Sequence, residues 1–98
     1  MDFYYKTTSS GCRAVLMTAK SIGVKLNLKS VDFYKKANFA SELLQVNPKF
    51  NIPTLVDKDI ILTEPRSIMI YLLDKYADES HILKPTNVYN EAEINQLL

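Results

Sequence analysis

The sequence predicts a small α/β domain in which a strand, a helix and a second strand precede a short helix, a β-hairpin and a longer helix, so that four strands share one mixed sheet. Three observations carry this prediction. The hydrophobic period changes from helical to alternating at Gly23, as it does where a helix gives way to a strand. Two strand-like triplets, 54–56 and 60–62, flank Asp57, Lys58 and Asp59, which is hairpin spacing even without the usual glycine. From Thr63 the helical period resumes through Ile68, Tyr71, Leu72 and Tyr76.

Each element follows from its residues. Phe3, Tyr4 and Tyr5 suit a pleated, half-buried strand, with Tyr4 and Tyr5 on alternate faces as packing residues. Thr7, Thr8, Ser9, Ser10 and Gly11 end it. Ser9 or Ser10 then caps a helix whose apolar residues Ala14, Val15, Met17 and Ile22 fall near helical spacing, with Gly23 as its stop. Val24, Leu26 and Leu28 alternate with Lys25, Asn27 and Lys29, predicting a strand with one buried face. Phe39 and Leu43, four apart with Leu44 beside them, predict a short helix over 38–46 that Asn47 and Pro48 close. Thr63 is the expected N-cap of the last long helix, which fades over 77–79. Residues 81–86 read as a linker in which His81 has no evident partner, and 87–98 begin a further helical pattern.

Composition narrows the function. At 98 residues with 47% apolar content, one small core is the limit. A net charge of +1 without a block of like charge argues against nucleic acid. No apolar run is long enough to span a membrane, and no basic segment opens the chain. Cys12 is the single cysteine, which points to the reducing cytoplasm, and with His81 the single histidine a zinc site lacks ligands, so no metal is expected.

The chemistry concentrates in 47–57 and 63–68. Ile52 precedes Pro53 at the mouth of a strand, where a cis bond would turn backbone groups outward. A helix that opens with Glu64 and Arg66 offers N–H groups to a carboxylate and an acid to an amine, a grip for a small amino-acid headgroup. That is chemistry for a peptide-like ligand.

Tyr4, Tyr5, Ser9, Cys12, Arg13, Ala14, Val15, Met17, Thr18, Ala19, Lys20, Gly23, Val24, Asn47, Pro48, the run Ile52, Pro53, Thr54, Leu55, Val56, Asp57, then Glu64, Arg66, Ile68, Met69, Tyr71, Leu72, Asp74, Lys75 and Tyr76 together resemble the N-terminal domain of the insect delta-class glutathione transferases. The resemblance implies a thioredoxin-like fold over 1–80, a linker at 81–86, and at 87–98 the truncated start of an all-helical second domain. It implies glutathione as co-substrate, a small electrophile as partner where a second domain exists, a homodimer, and a part in detoxification. It puts Ser9 where a hydroxyl stabilises the thiolate, Ile52 and Pro53 beside the cysteinyl group, and Glu64 and Arg66 at the γ-glutamyl end. A hydroxyl at a helix start does have a route to that role, since the free N–H groups around it favour an anion.

Four positions depart from the family pattern. Pro65 replaces a serine and offers neither hydroxyl nor N–H to a carboxylate. Phe50 and Asn38 stand where histidines are usual, and Gly11 replaces a proline. Three readings stay open: a transferase domain with an impaired glutathione site, a non-catalytic thioredoxin-like interaction module, and a redox protein acting through Cys12, whose spacing from Ser9 is that of a Cys-x-x-Cys motif with its first sulfur replaced. The lysine pair Lys35 and Lys36 is expected to be solvated, with the rim of a ligand site as the alternative.

Overall fold

A computed structural model describes residues 1–32, 38–78, 80–85 and 87–97. Along the chain run β1 (Asp2–Tyr5), α1 (Ser10–Ser21), β2 (Asn27–Ser30), α2 (Ala40–Val46), β3 (Thr54–Asp57), β4 (Ile60–Leu62), α3 (Pro65–Tyr76) and α4 (Val88–Leu97). The sheet order is β2-β1-β3-β4, with β1 parallel to β2 and both other pairings antiparallel. This is the mixed four-stranded sheet the sequence predicts. Lys35 and Lys36 lie outside the described residues.

Both faces of the sheet are covered, which is why Phe3 and Tyr4, on opposite faces of β1, are both buried. On one side Phe3 and Leu55 pack with Cys12, Val15 and Ala19 of α1 and with Ile68 and Leu72 of α3. On the other, Tyr4 packs with Val31 and Leu43 of α2. In α1 the buried stripe is Cys12, Val15 and Ala19, not the one expected to include Met17, which is 73% exposed. Two residues past Val15, Met17 points to the opposite side of the helix. Gly23 does end α1: at φ 76 it lets its own N–H reach Lys20 O and the N–H of Val24 reach Ala19 O, the paired bonds of a Schellman turn.

The second strand corrects the sequence reading. Pairing starts only at Asn27, and Leu28, expected on a buried face, is about half exposed, whereas Lys29 is largely covered. β2 is an edge strand, so among the described residues Leu28 is covered only in part, and Lys29 lies under Glu42 of α2 at 2.7 Å and 3.3 Å from Asp2. Tyr4 donates its hydroxyl to the same Glu42 oxygen at 2.8 Å. The Lys29 contact, aided by Tyr4, holds the Glu42 carboxyl below its usual range, while burial and then Glu42 push the Tyr4 hydroxyl up.

Asp57 ties the sheet to α3. Its Oδ2 accepts from Tyr71, Tyr76 and Lys75, the lysine at 2.7 Å. The tyrosines of α3 thus act as polar anchors and not as plain packing. His81, expected to lack a partner, accepts from the N–H of Leu83 through Nδ1 and lies 3.4 Å from Ser21 O through Nε2. Asn87 caps α4 by accepting from the N–H of Asn90 at 2.9 Å.

Candidate functional site

Two helix starts meet at one end of the domain. Ser9 is the N-cap of α1: in extended backbone, φ −83 and ψ 123, its Oγ accepts from the N–H of Cys12 at 3.2 Å. At α3 the cap is Glu64, not the expected Thr63, with φ −99, ψ 129 and no side-chain cap bond. Pro65 is the cause. It occupies the first helical position, where its missing N–H is no loss, and it forces the preceding residue into extended backbone.

Between these starts opens a cleft of about 680 Å³ lined by Ser10, Gly11, Ala14, Glu64, Pro65, Arg66, Ser67 and Met69. Glu64, Pro65 and Arg66 line this cleft; Ser9 and Ile52, which the resemblance assigns to the same ligand, stand next to it in sequence through Ser10, a lining residue, and Pro53, whose Cδ is 3.7 Å from a Cβ built at Gly11. Ser9 sits one residue behind Ser10. Ile52 is half-buried and packs against both halves of the core. The Ile52-Pro53 bond is cis, as the sequence suggested, and Pro53 is buried.

Asn47 organises the approach to that bond. Its Oδ1 accepts from the N–H of Lys49, its O accepts from the N–H of Phe50, and its Nδ2 reaches Thr54 Oγ1 at 3.4 Å. The turn holds Phe50 at φ 59, a left-handed backbone that a bulky aromatic adopts at a cost of about 1–3 kcal/mol. Asn38 uses its Oδ1 to accept from the N–H of Ala40 at 2.7 Å, an Asx turn just before α2, whose N-cap is Phe39. Cys12 is fully buried in the core beside Val15 and Ile68, which takes from the redox reading the exposed sulfur it needs.

Two features escaped the sequence. The Asp57 anchor had a faint signal in the helical spacing of Tyr71 and Lys75, which puts both on one face. The contact between Gly11 and Pro65, described below, had none.

The family profile described as glutathione S-transferase, N-terminal domain, matches residues 3–74. Glutathione S-transferase 2 of Anopheles gambiae is 44% identical over all 98 residues, which span 47% of that protein. Among solved structures, a delta-class glutathione transferase of Nilaparvata lugens is 41% identical with a TM-score of 0.83, over 97% of this chain and 44% of its own. An unclassified glutathione S-transferase of Bombyx mori is 32% identical with a TM-score of 0.85, over 97% and 44% respectively. The chain spans about half the length of these relatives. Its thioredoxin-like sheet, helix order and motif residues have one account: the chain belongs to the glutathione S-transferase family and carries that family's N-terminal domain.

Proposed function

We propose that this domain binds glutathione across the starts of α1 and α3 and lowers the pKa of its thiol through Ser9, with an affinity weakened by Pro65. The observation that carries the reading is the state of the Ser9 hydroxyl. Its oxygen is used by the N–H of Cys12, so its O–H remains to donate to a thiolate outside the helix. Such a bond, beside the positive end of α1, favours the sulfur anion over the thiol. In the conjugation the family relationship suggests, that sulfur attacks an electrophilic carbon, an S–C bond forms, the electron pair leaves with the displaced group or enters the opened π bond, and the thiol proton goes to solvent. The nucleophile is the ligand's, and the domain supplies orientation and charge.

At the other end Glu64 is exposed on the cleft and suits the ligand's ammonium. Pro65 has no N–H, so the first helical amides left for a carboxylate are those of Arg66 and Ser67, with the Arg66 guanidinium beside them. Phe50 and Asn38 bring no positive charge to the glycyl carboxylate. These losses support binding at about millimolar affinity. A cytoplasmic setting, a homodimer, an electrophile pocket in a following helical domain and a role in detoxification belong to the same proposal. The donor loss at Pro65 also favours a second reading, an interaction module that keeps the fold without turnover.

Titration calorimetry with glutathione, together with ultraviolet absorbance of the bound thiolate, tests the first reading. A weak but saturable heat and a thiol pKa below that of free glutathione are expected. No heat at tens of millimolar ligand, or an unshifted thiol, would overturn it. Saturable binding without conjugation of a reactive aryl halide, in a chain extended by a helical domain, would select the second.

A further inference from the structure

The cleft holds a contact that neither helix explains alone. Gly11 lies in the first turn of α1 with φ in the ordinary helical range, so nothing in its backbone demands glycine. Space does. A Cβ built there would stand 2.7 Å from Pro65 Cγ, 3.4 Å from Pro65 Cβ and 3.7 Å from Pro53 Cδ. The first distance is far inside van der Waals contact, and a pyrrolidine ring closed on its own backbone N can withdraw only by a change of pucker, not by swinging away as an open side chain would. The Pro65 ring therefore occupies the volume that a side chain at residue 11 would need.

We infer that Gly11 and Pro65 form an interlock in which the bare backbone of α1 seats the Pro65 ring and so sets the distance between the Ser9 and Glu64 caps. Gly11 is then a positioning residue for the site proposed above, and the inference rests on that reading for its functional meaning. Ser9 and Glu64 are each adjacent or nearly so to one half of the contact, two residues before Gly11 and one before Pro65. Glu64 has no side-chain cap bond to fix it. The ring on Gly11 and the bond restriction of proline add to the bond that its O accepts from the N–H of Ile68 in holding its backbone in place.

The test is a cycle of four 98-residue chains: wild type, Gly11→Ala, Pro65→Ser, and both together. With Pro65 present, Gly11→Ala should lower the urea midpoint by about 1 M, as overpacking of a rigid site does. It should also displace the amide resonances of Ser9 and Glu64. In the Pro65→Ser background the same change should leave those resonances in place and hold or raise the midpoint, because alanine is the better helix former. Equal effects of Gly11→Ala in the two backgrounds would overturn the interlock. Coupled midpoints with unmoved Ser9 and Glu64 resonances would overturn the positioning role. Glutathione titration of the four chains judges the separate reading: if none binds, the proposed ligand is lost while the interlock is still decided by the midpoints and resonances.

Discussion

Replacing Asp57 by Asn should remove a stabilisation whose size and pH window follow from its surroundings. Asp57 is 7% exposed at the end of β3, and its Oδ2 accepts from Lys75, Tyr71 and Tyr76 of α3. The Lys75 contact first, and the Tyr71 hydroxyl next, lower its pKa from 3.8 to about 2. A depressed carboxyl contributes stability that is complete above the unfolded pKa and is lost as pH falls through the folded one, here from about 4 down to about 2. Nearly two units would be about 2.5 kcal/mol, but Lys75 is 42% exposed and water screens the pair, so about 1–2 kcal/mol is expected. Because the chain has no tryptophan, urea denaturation is best followed by far-ultraviolet circular dichroism from pH 7 to pH 2. At pH 7 Asp57→Asn should lie about 1–2 kcal/mol below wild type, or about 5–15 °C in Tm, with the gap closing as pH approaches 2. Asp2 and Glu42 also have lowered pKa values, so both chains weaken in acid and the difference between them is the quantity to read. A gap that stays constant from pH 7 to pH 2, or none at pH 7, would refute the Asp57 anchor.

Three further outcomes are expected. Ser9→Ala should cost about 1 kcal/mol through loss of the bond from the Cys12 N–H, and should erase the thiolate absorbance of bound glutathione while calorimetric binding persists. Pro65→Ser should tighten glutathione binding by about 2 kcal/mol, roughly thirtyfold, through a recovered hydroxyl and N–H, as read by calorimetry. Adding Phe50→His should tighten it further as pH is lowered through about 6.5, where imidazole gains charge, and should do so with little conformational cost because histidine tolerates the φ of 59 better than phenylalanine.

Much of the fold was legible because its signals are local. The stop at Gly23, the hairpin spacing at Asp57 to Ile60 and the period of α3 each depend on neighbours within a few residues, and the elements they predict are present. The errors fall where another residue, distant or near, overrides a local pattern. Leu28 alternates correctly but lies on an edge strand, so the sheet order decides its exposure. Thr63 is a good capping type, yet Pro65 moves the helix start by one residue. In the site, Glu64, Pro65 and Arg66 are neighbours in sequence and so were found together, whereas the place of Ser9 and Ile52 relative to them depends on how α1, α3 and the turn before β3 pack.

The two departures at Gly11 and Pro65 show what a residue-by-residue comparison loses. Taken singly, a glycine in the first turn of α1 loosens a helix entry and a proline at the first position of α3 is an ordinary start. Across the 2.7 Å between Pro65 Cγ and a Cβ at residue 11 they constrain each other in one direction only. With Pro65 in place, a side chain at residue 11 fits only if the ring changes pucker or α1 and α3 move apart, whereas a smaller residue at 65 relieves the contact. Repair of the pair is therefore least strained when residue 65 is changed first. A chain repaired at residue 65 first keeps its helix contact while recovering donors, whereas a chain repaired at residue 11 first meets the ring. The same asymmetry predicts the ranking of single variants: Pro65→Ser folds at least as readily as any side chain placed at 11, and a stability screen of all substitutions at residue 11 should penalise each of them in the Pro65 background, alanine included.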